Sequence, residues 1–164
     1  MRVLGFDPSL ESTGFGVVEE TDGRYVPIVF GVIRPTRRFA LHQKLNEIRA
    51  EAEKLIADYG PAEVAVENPF FARNARTAFI LGQVRGAILV AVAASGCGLF
   101  EYAPREIKKA VTGYGHAGKD QVQAMVQALL SLAPDPLSTD ASDALAAAIC
   151  HLNVRLTRAR QEED

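Results

Sequence analysis

The stretch VLGFDPSLESTGFGVVEETDGRYVPIVFGVI, residues 3–33, decides the fold class. Residues 3–6 are a short apolar run that stops at Asp7-Pro8. Residues 14–19 follow a Ser-Thr-Gly turn signal, and residues 25–33 follow Asp22-Gly23. Short apolar runs broken by such turn residues predict an antiparallel three-stranded meander. The period then changes. Leu41, Leu45, Ile48, Ala52, Leu55, Ile56 and Tyr59 recur at helical spacing until Gly60-Pro61 stops them. Residues 64–66 and 98–102 predict a fourth and a fifth strand. Further helices are expected over 77–94, from Pro104, around Val122 to Leu130, and from Ser138/Thr139 onwards. The order βββαβαβααα implies an α/β chain: a five-stranded mixed sheet, meander plus parallel strands, flanked by helices.

That order gives two acids a special place. Asp7 ends the first strand and Glu67 ends the fourth, each followed within two residues by proline. If those strands are parallel neighbours, both acids stand on the carboxyl edge of the sheet, where open α/β sheets bind ligands. Asp140 and Asp143, three apart at a helix start, project from one face. Singly, each has a plain structural explanation: Asp140 and Asp143 as partners of the helix dipole, Asp7 as a turn former, Glu67 as a surface charge. As a set, converging carboxylates would repel and take up protons unless a hard divalent cation such as Mg²⁺ neutralised them. Acids that hold two ions ~4 Å apart cut phosphodiesters by activating the nucleophile and stabilising the leaving oxygen.

At 164 residues the chain fits one domain. Its two cysteines, Cys97 and Cys150, lack ligand spacing and read as small buried hydrophobes of a reducing compartment. No signal-peptide pattern opens the sequence, and the longest uncharged run, residues 86–100, falls short of the ~20 apolar residues of a membrane span, so a cytoplasmic protein is expected. Net charge is −2, which argues weakly against a nucleic-acid partner. Metal would offset the four candidate ligands, and the basic residues cluster at Arg34/Arg37/Arg38, Arg73/Arg76, Arg105/Lys108/Lys109 and Arg155/Arg158/Arg160. The 77–94 helix is apolar nearly all round and must be covered on both sides. One side packs on the sheet. A second copy of the chain or a neighbouring helix of the same chain covers the other.

Four ordered blocks resemble the RuvC family of Holliday junction resolvases. They are residues 5–16 (GFDPSLESTGFG), residues 66–74 (VENPFFARN) with the following GQVRG at 82–86, residues 102–119, and residues 140–146 (DASDALA). The resemblance implies an RNase H-like domain over 1–156, leaving 157–164 as a short charged tail. It also implies a homodimer and Mg²⁺-dependent cleavage of four-way DNA junctions, with Mn²⁺ as a substitute and two ions per site. It maps the catalytic and metal-binding acids onto Asp7, Glu67, Asp140 and Asp143, and implies partnership with the RuvA–RuvB branch-migration machine in recombinational repair. Ser9 stands where the family usually has glycine.

Either Phe70 or Phe71 can stack on an unpaired base at the junction centre, and Phe70 is the one that matches the family position. Burial in the core is the alternative for Phe70 and Phe71. Lys108 and Lys119 are the matching basic residues near the site, one of them to bind phosphate or to stabilise negative charge in the transition state, with solvated surface lysines as the alternative; Arg73, Asn74 and Arg76 are candidate DNA contacts. His116 reads as a loop residue. The rival reading, a phosphotransferase of the sugar kinase–actin group, needs two such lobes, and 164 residues hold one.

Overall fold

The computed structural model describes residues 1–68, 74–133 and 137–163. Its elements run β1 (Arg2–Asp7), β2 (Thr13–Thr21), β3 (Arg24–Ile33), α1 (Leu41–Tyr59), β4 (Glu63–Glu67), α2 (Ala75–Ser95), β5 (Gly98–Tyr102), α3 (Pro104–Thr112), α4 (Lys119–Leu129) and α5 (Thr139–Glu163). One sheet holds all five strands in the order β3-β2-β1-β4-β5. The meander β1-β2-β3 is antiparallel, whereas β4 joins β1, and β5 joins β4, in parallel. The mixed α/β sheet expected from the element order is therefore present.

Local chemistry explains the joints. Asp22 and Gly23 both take positive φ, 53° and 75°, the geometry of a tight hairpin turn whose twist suits the flanking strands. The Gly23 N–H donates to the Glu20 carboxylate at 2.8 Å and closes the turn. Pro27 lacks an N–H and lies on the edge strand β3, beside a register shift at Val17/Val18.

Two apolar layers sandwich the sheet. Leu4, Phe6, Val17, Val64 and Val66 face α1 and α2, where Ile48, Ala52, Val84 and Ile88 meet them. Val3, Val18 and Ala65 face α5, with its Leu145, Ala146, Ala148 and Ile149. α5 lies very close to β1 and β2. A Cβ built on Gly5 would stand 2.0 Å from the Ala144 carbonyl oxygen, and one on Gly14 would stand 1.9 Å from that of Asp140. These two glycines, facing an alanine-rich helix, let backbone approach backbone.

α2 answers half of the question its composition raised. Val84, Ile88, Ala91 and Val92 are buried, with α1 and the sheet as their cover. Arg85 pairs with Glu101 of β5, its Nε donating at 2.8 Å. Phe79 (70% exposed) and Val90 (59%) are left uncovered. Although the longest uncharged run is short, this helix is by length and composition apolar enough to cross a bilayer. α5 runs unbroken past residue 156 to Glu163.

Candidate active site

The parallel pairing of β1 with β4 ends at Phe6↔Val66, which leaves Asp7 and Glu67 side by side at the carboxyl ends of adjacent strands. Side chains alternate along a strand, so Asp7 shares its face with Val3 and Gly5, and Glu67 shares its face with Glu63 and Ala65. That is the face α5 covers. The first turns of α5 bring Asp143 to the same place. A cleft of about 250 Å³ results, lined by Asp7, Glu67, Asp143, Lys108, Lys119, Pro104, Ile107 and Val122. Hollows of about 330, 420 and 500 Å³ elsewhere gather no comparable set of acids and lysines.

The surroundings hold each group in place. The Thr13 hydroxyl donates to the Ser9 carbonyl at 2.5 Å, and the Ser9 N–H donates back to Thr13 Oγ1 at 3.2 Å, folding the loop that follows Asp7. Lys44 of α1 pairs with Glu11 in that loop at 3.1 Å. The lysines come from the α3–α4 pair. α3 starts with Pro104 and is closed at its N-terminus by the Ala103 N–H donating to the Glu106 carboxylate at 2.7 Å. Lys119 opens α4 and places Nζ 4.0 Å from Asp143 Oδ2.

Electrostatics sets this cleft apart. Burial pushes the Asp7 carboxyl up to about 8, and repulsion from Glu67, Asp143 and Asp140 adds to it, against the pull of Lys119. Burial, then Asp143, pushes Glu67 up to about 7, with Lys119 and Lys108 opposing. Asp143 is also raised, by burial first, with Lys119 pulling down and Asp140 pushing up. Strongly perturbed acids grouped in a cleft mark a functional site. The acids favour ionisation only if positive charge joins them, and Lys119, its side chain 73% exposed, supplies little. Oxygen-only donors suit a hard divalent cation, so the residue set fits the metal the sequence suggested. Among the described residues, no three His, Cys, Asp or Glu side chains already close on one point as ligands of a single ion.

The remaining expectations fall differently. Asp140 does not line the cleft; it lies at its margin and acts on Asp7 and Asp143 through its charge. Asn74 caps α2, its side-chain oxygen accepting from the Thr77 N–H at 2.9 Å, so that oxygen is committed to the helix. Arg76 is exposed on the first turn of α2. Phe70, Phe71 and Arg73 lie outside the described residues. His116 packs on Tyr114, ring centroids 5.6 Å apart, and is not among the residues lining the cleft.

Residue-by-residue reading of the sequence missed the close-approach glycines Gly5 and Gly14, which admit α5 and its acids to the sheet. It also missed His151. A lone imidazole among the alanines and leucines of 140–152 was the available signal, and that ring is fully buried.

Comparison with known proteins adds a family. The family model for crossover junction endodeoxyribonuclease RuvC matches residues 3–151. A crossover junction endodeoxyribonuclease RuvC of Myxococcus xanthus is 48% identical over 154 residues, covering 93% of this chain and 81% of the relative. The protein of that name from Koribacter versatilis is 47% identical over 161 residues, covering 98% and 97%. Among solved structures, Thermus thermophilus RuvC in complex with a Holliday junction substrate superposes with a TM-score of 0.91 at 31% identity, covering 96% of both chains. The yeast mitochondrial Holliday junction resolvase Ydc2, at 12% identity and a TM-score of 0.68, shares the fold.

Proposed function

The chain belongs to the RuvC family of crossover junction endodeoxyribonucleases, and from that membership we propose that its acid cleft nicks the strands of four-way DNA junctions. The observation that carries the reading is the meeting of Asp7, Glu67 and Asp143, from two strands and a helix, in one cleft beside Lys108 and Lys119. Asp7, Glu67 and Asp143 would hold divalent metal, with Asp140 completing the set from the margin; Mg²⁺ is the natural ion and Mn²⁺ a substitute. When bound, two such ions supply the charge and Lewis acidity for hydrolysis to 5′-phosphate and 3′-hydroxyl ends.

The chain's own residues bind and orient the DNA. Lys119 and Lys108 neutralise the scissile phosphate and the charge that builds on it as the nucleophile attacks. Asn74 and Arg76, at the entry to α2, hold the neighbouring backbone; Arg73 is assigned to the same task, and Phe70 to stacking on an unpaired base at the junction centre. Arg34, Arg37 and Arg38 follow β3 at the same edge of the sheet, exposed and without an ion pair among the described residues. They extend the positive rim despite the acidic net charge. A two-fold symmetric junction needs two symmetric cuts, which a homodimer supplies with one site per chain. The uncovered side of α2 is the seam we assign to it, and the RuvA–RuvB branch-migration complex is the partner that delivers the junction in the bacterial cytoplasm.

The test is direct. Synthetic four-way and linear duplex DNA are incubated with the protein in Mg²⁺ or EDTA, and the nicks are mapped. Paired symmetric nicks in the junction alone, only with metal, are expected. Equal cutting of linear duplex, or cutting in EDTA, refutes the reading.

A further inference from the structure

A buried polar chain lies behind the acid cleft, on the same face of the sheet. His151 of α5 is fully buried, its Nε2 2.5 Å from Glu63 Oε2 and its Nδ1 2.7 Å from the Tyr102 hydroxyl. Arg155, one helical turn on, reaches the same Glu63 oxygen at 3.3 Å. The imidazole packs on Phe100, ring centroids 4.4 Å apart. Burial lowers the imidazole's affinity for a proton below the ordinary, and burial pushes the Tyr102 hydroxyl up to about 12. One assignment of protons satisfies every partner: Tyr102 O–H donates to Nδ1, and neutral His151 donates Nε2–H to the Glu63 carboxylate.

The placement of this chain is the informative part. Glu63 and Glu67 bracket β4 and share its α5-facing side, ~13 Å apart at the rise of a strand. Asp143 and His151 are eight residues apart on α5, ~12 Å at the rise of a helix. The two spans match. α5 and β4 therefore face each other at two rungs, Asp143 and Glu67 lining the cleft and His151 hydrogen-bonded to Glu63 at the far end. Tyr102 closes the frame, because it pairs with Glu67 across β4–β5 and its carbonyl accepts from the Asn68 N–H at 2.9 Å. The cleft rung is repulsive and cannot fix its own register. The far rung can.

We propose that the Tyr102–His151–Glu63 chain is a positioning device that sets the register of α5 against β4, and so the spacing of Asp143 and Glu67 as metal ligands. None of the three lines the acid cleft. The inference rests on the metal-dependent reading of the cleft, not on the identity of the DNA substrate.

The test compares Glu63→Ala, which removes the acceptor, with Glu63→Gln, whose amide oxygen still accepts from Nε2–H. Thermal stabilisation of the DNA-free protein is titrated with Mg²⁺ and with Mn²⁺, and single-turnover cleavage of a four-way junction is measured below the melting temperature of each variant. In Glu63→Ala the half-saturating metal concentration rises by about 10–100-fold, the size of effect expected when a partner that orients a ligand is removed. Cleavage falls in parallel, while junction affinity in EDTA stays unchanged. Glu63→Gln stays near the wild-type metal curve although it melts lower. A Glu63→Ala protein that melts lower but binds metal as the wild type does would overturn the proposal, leaving the chain a fold-stabilising contact. If Glu63→Ala does not fold, Tyr102→Phe, which removes one hydroxyl from the same chain, is read by the same criteria. Should the wild type bind metal yet fail to cut junctions, the resolvase reading falls and the metal titration still decides the proposal.

Discussion

Replacing Asp7 with asparagine removes the charge that the folded protein tolerates least, and two opposite consequences follow. The Asp7 carboxyl rises from 3.8 to about 8 because burial, then Glu67, Asp143 and Asp140, penalise its ionised form. Between those values the folded chain keeps a proton that the unfolded chain releases, so stability falls as pH rises through that window. The penalty is absent near pH 4 and full above pH 8. At about 1.4 kcal/mol per pH unit, the upper bound at pH 7 is about 4 kcal/mol. Glu67 and Asp143 share the repulsion, and the asparagine amide still needs partners, so about 1–2 kcal/mol should be recovered. For a chain of this size that raises the melting temperature by roughly 2–8 °C. Differential scanning calorimetry in EDTA at pH 7 should therefore find Asp7→Asn more stable than the wild type, with the gap closing as pH falls toward 4. In Mg²⁺ the order reverses, because only the wild type gains binding energy, and the variant binds junctions without cutting them. Equal stability in EDTA at pH 7, or retained cleavage, refutes the electrostatic account.

Gly5→Ala drives a methyl into the Ala144 carbonyl, 2.0 Å away, and no flexible side chain can yield there. It should cost ~1–3 kcal/mol in a denaturant titration and abolish cleavage even where the protein is folded, since α5 moves with its acids. Lys119→Ala should slow single-turnover cleavage and, if Lys119 meets one phosphate, reduce the log–log salt slope of junction binding by about 0.9. An unchanged slope returns Lys119 to the solvated surface. Phe79→Glu with Val90→Glu places charges on the uncovered side of α2. Sedimentation should then give a monomer that nicks junctions singly; a dimer would move the seam elsewhere.

The fold was legible because its signals are local and agree with one another. Asp22-Gly23 announces a hairpin and delivers positive φ at both positions, and the helical period of 41–59 meets Gly60 in the left-handed conformation at its end. Even the start of β5 and the proline that opens α3 follow from short-range chemistry. Cover for α2 was less legible, because burial of a helix face depends on which distant element arrives. α1 covers one row, and Phe79 and Val90 stay outside. Periodicity tells which residues want burial, not what will bury them.

The site was legible only in part for a related reason. Asp7 and Glu67 could be placed because a strand end is a position any βαβ order defines. How near Asp143 stands to them could not, since it depends on the distance and register between α5 and the sheet. Two features without chemistry of their own set that distance and register: hydrogen atoms in place of side chains at Gly5 and Gly14, and hydrogen bonds at the far end of β4. Four like charges cannot assemble by attraction. Packing energy from the alanine face of α5 must hold them together before any cation arrives, and that is why the stretch that follows Asp143, residues 144–152, is buried without a break.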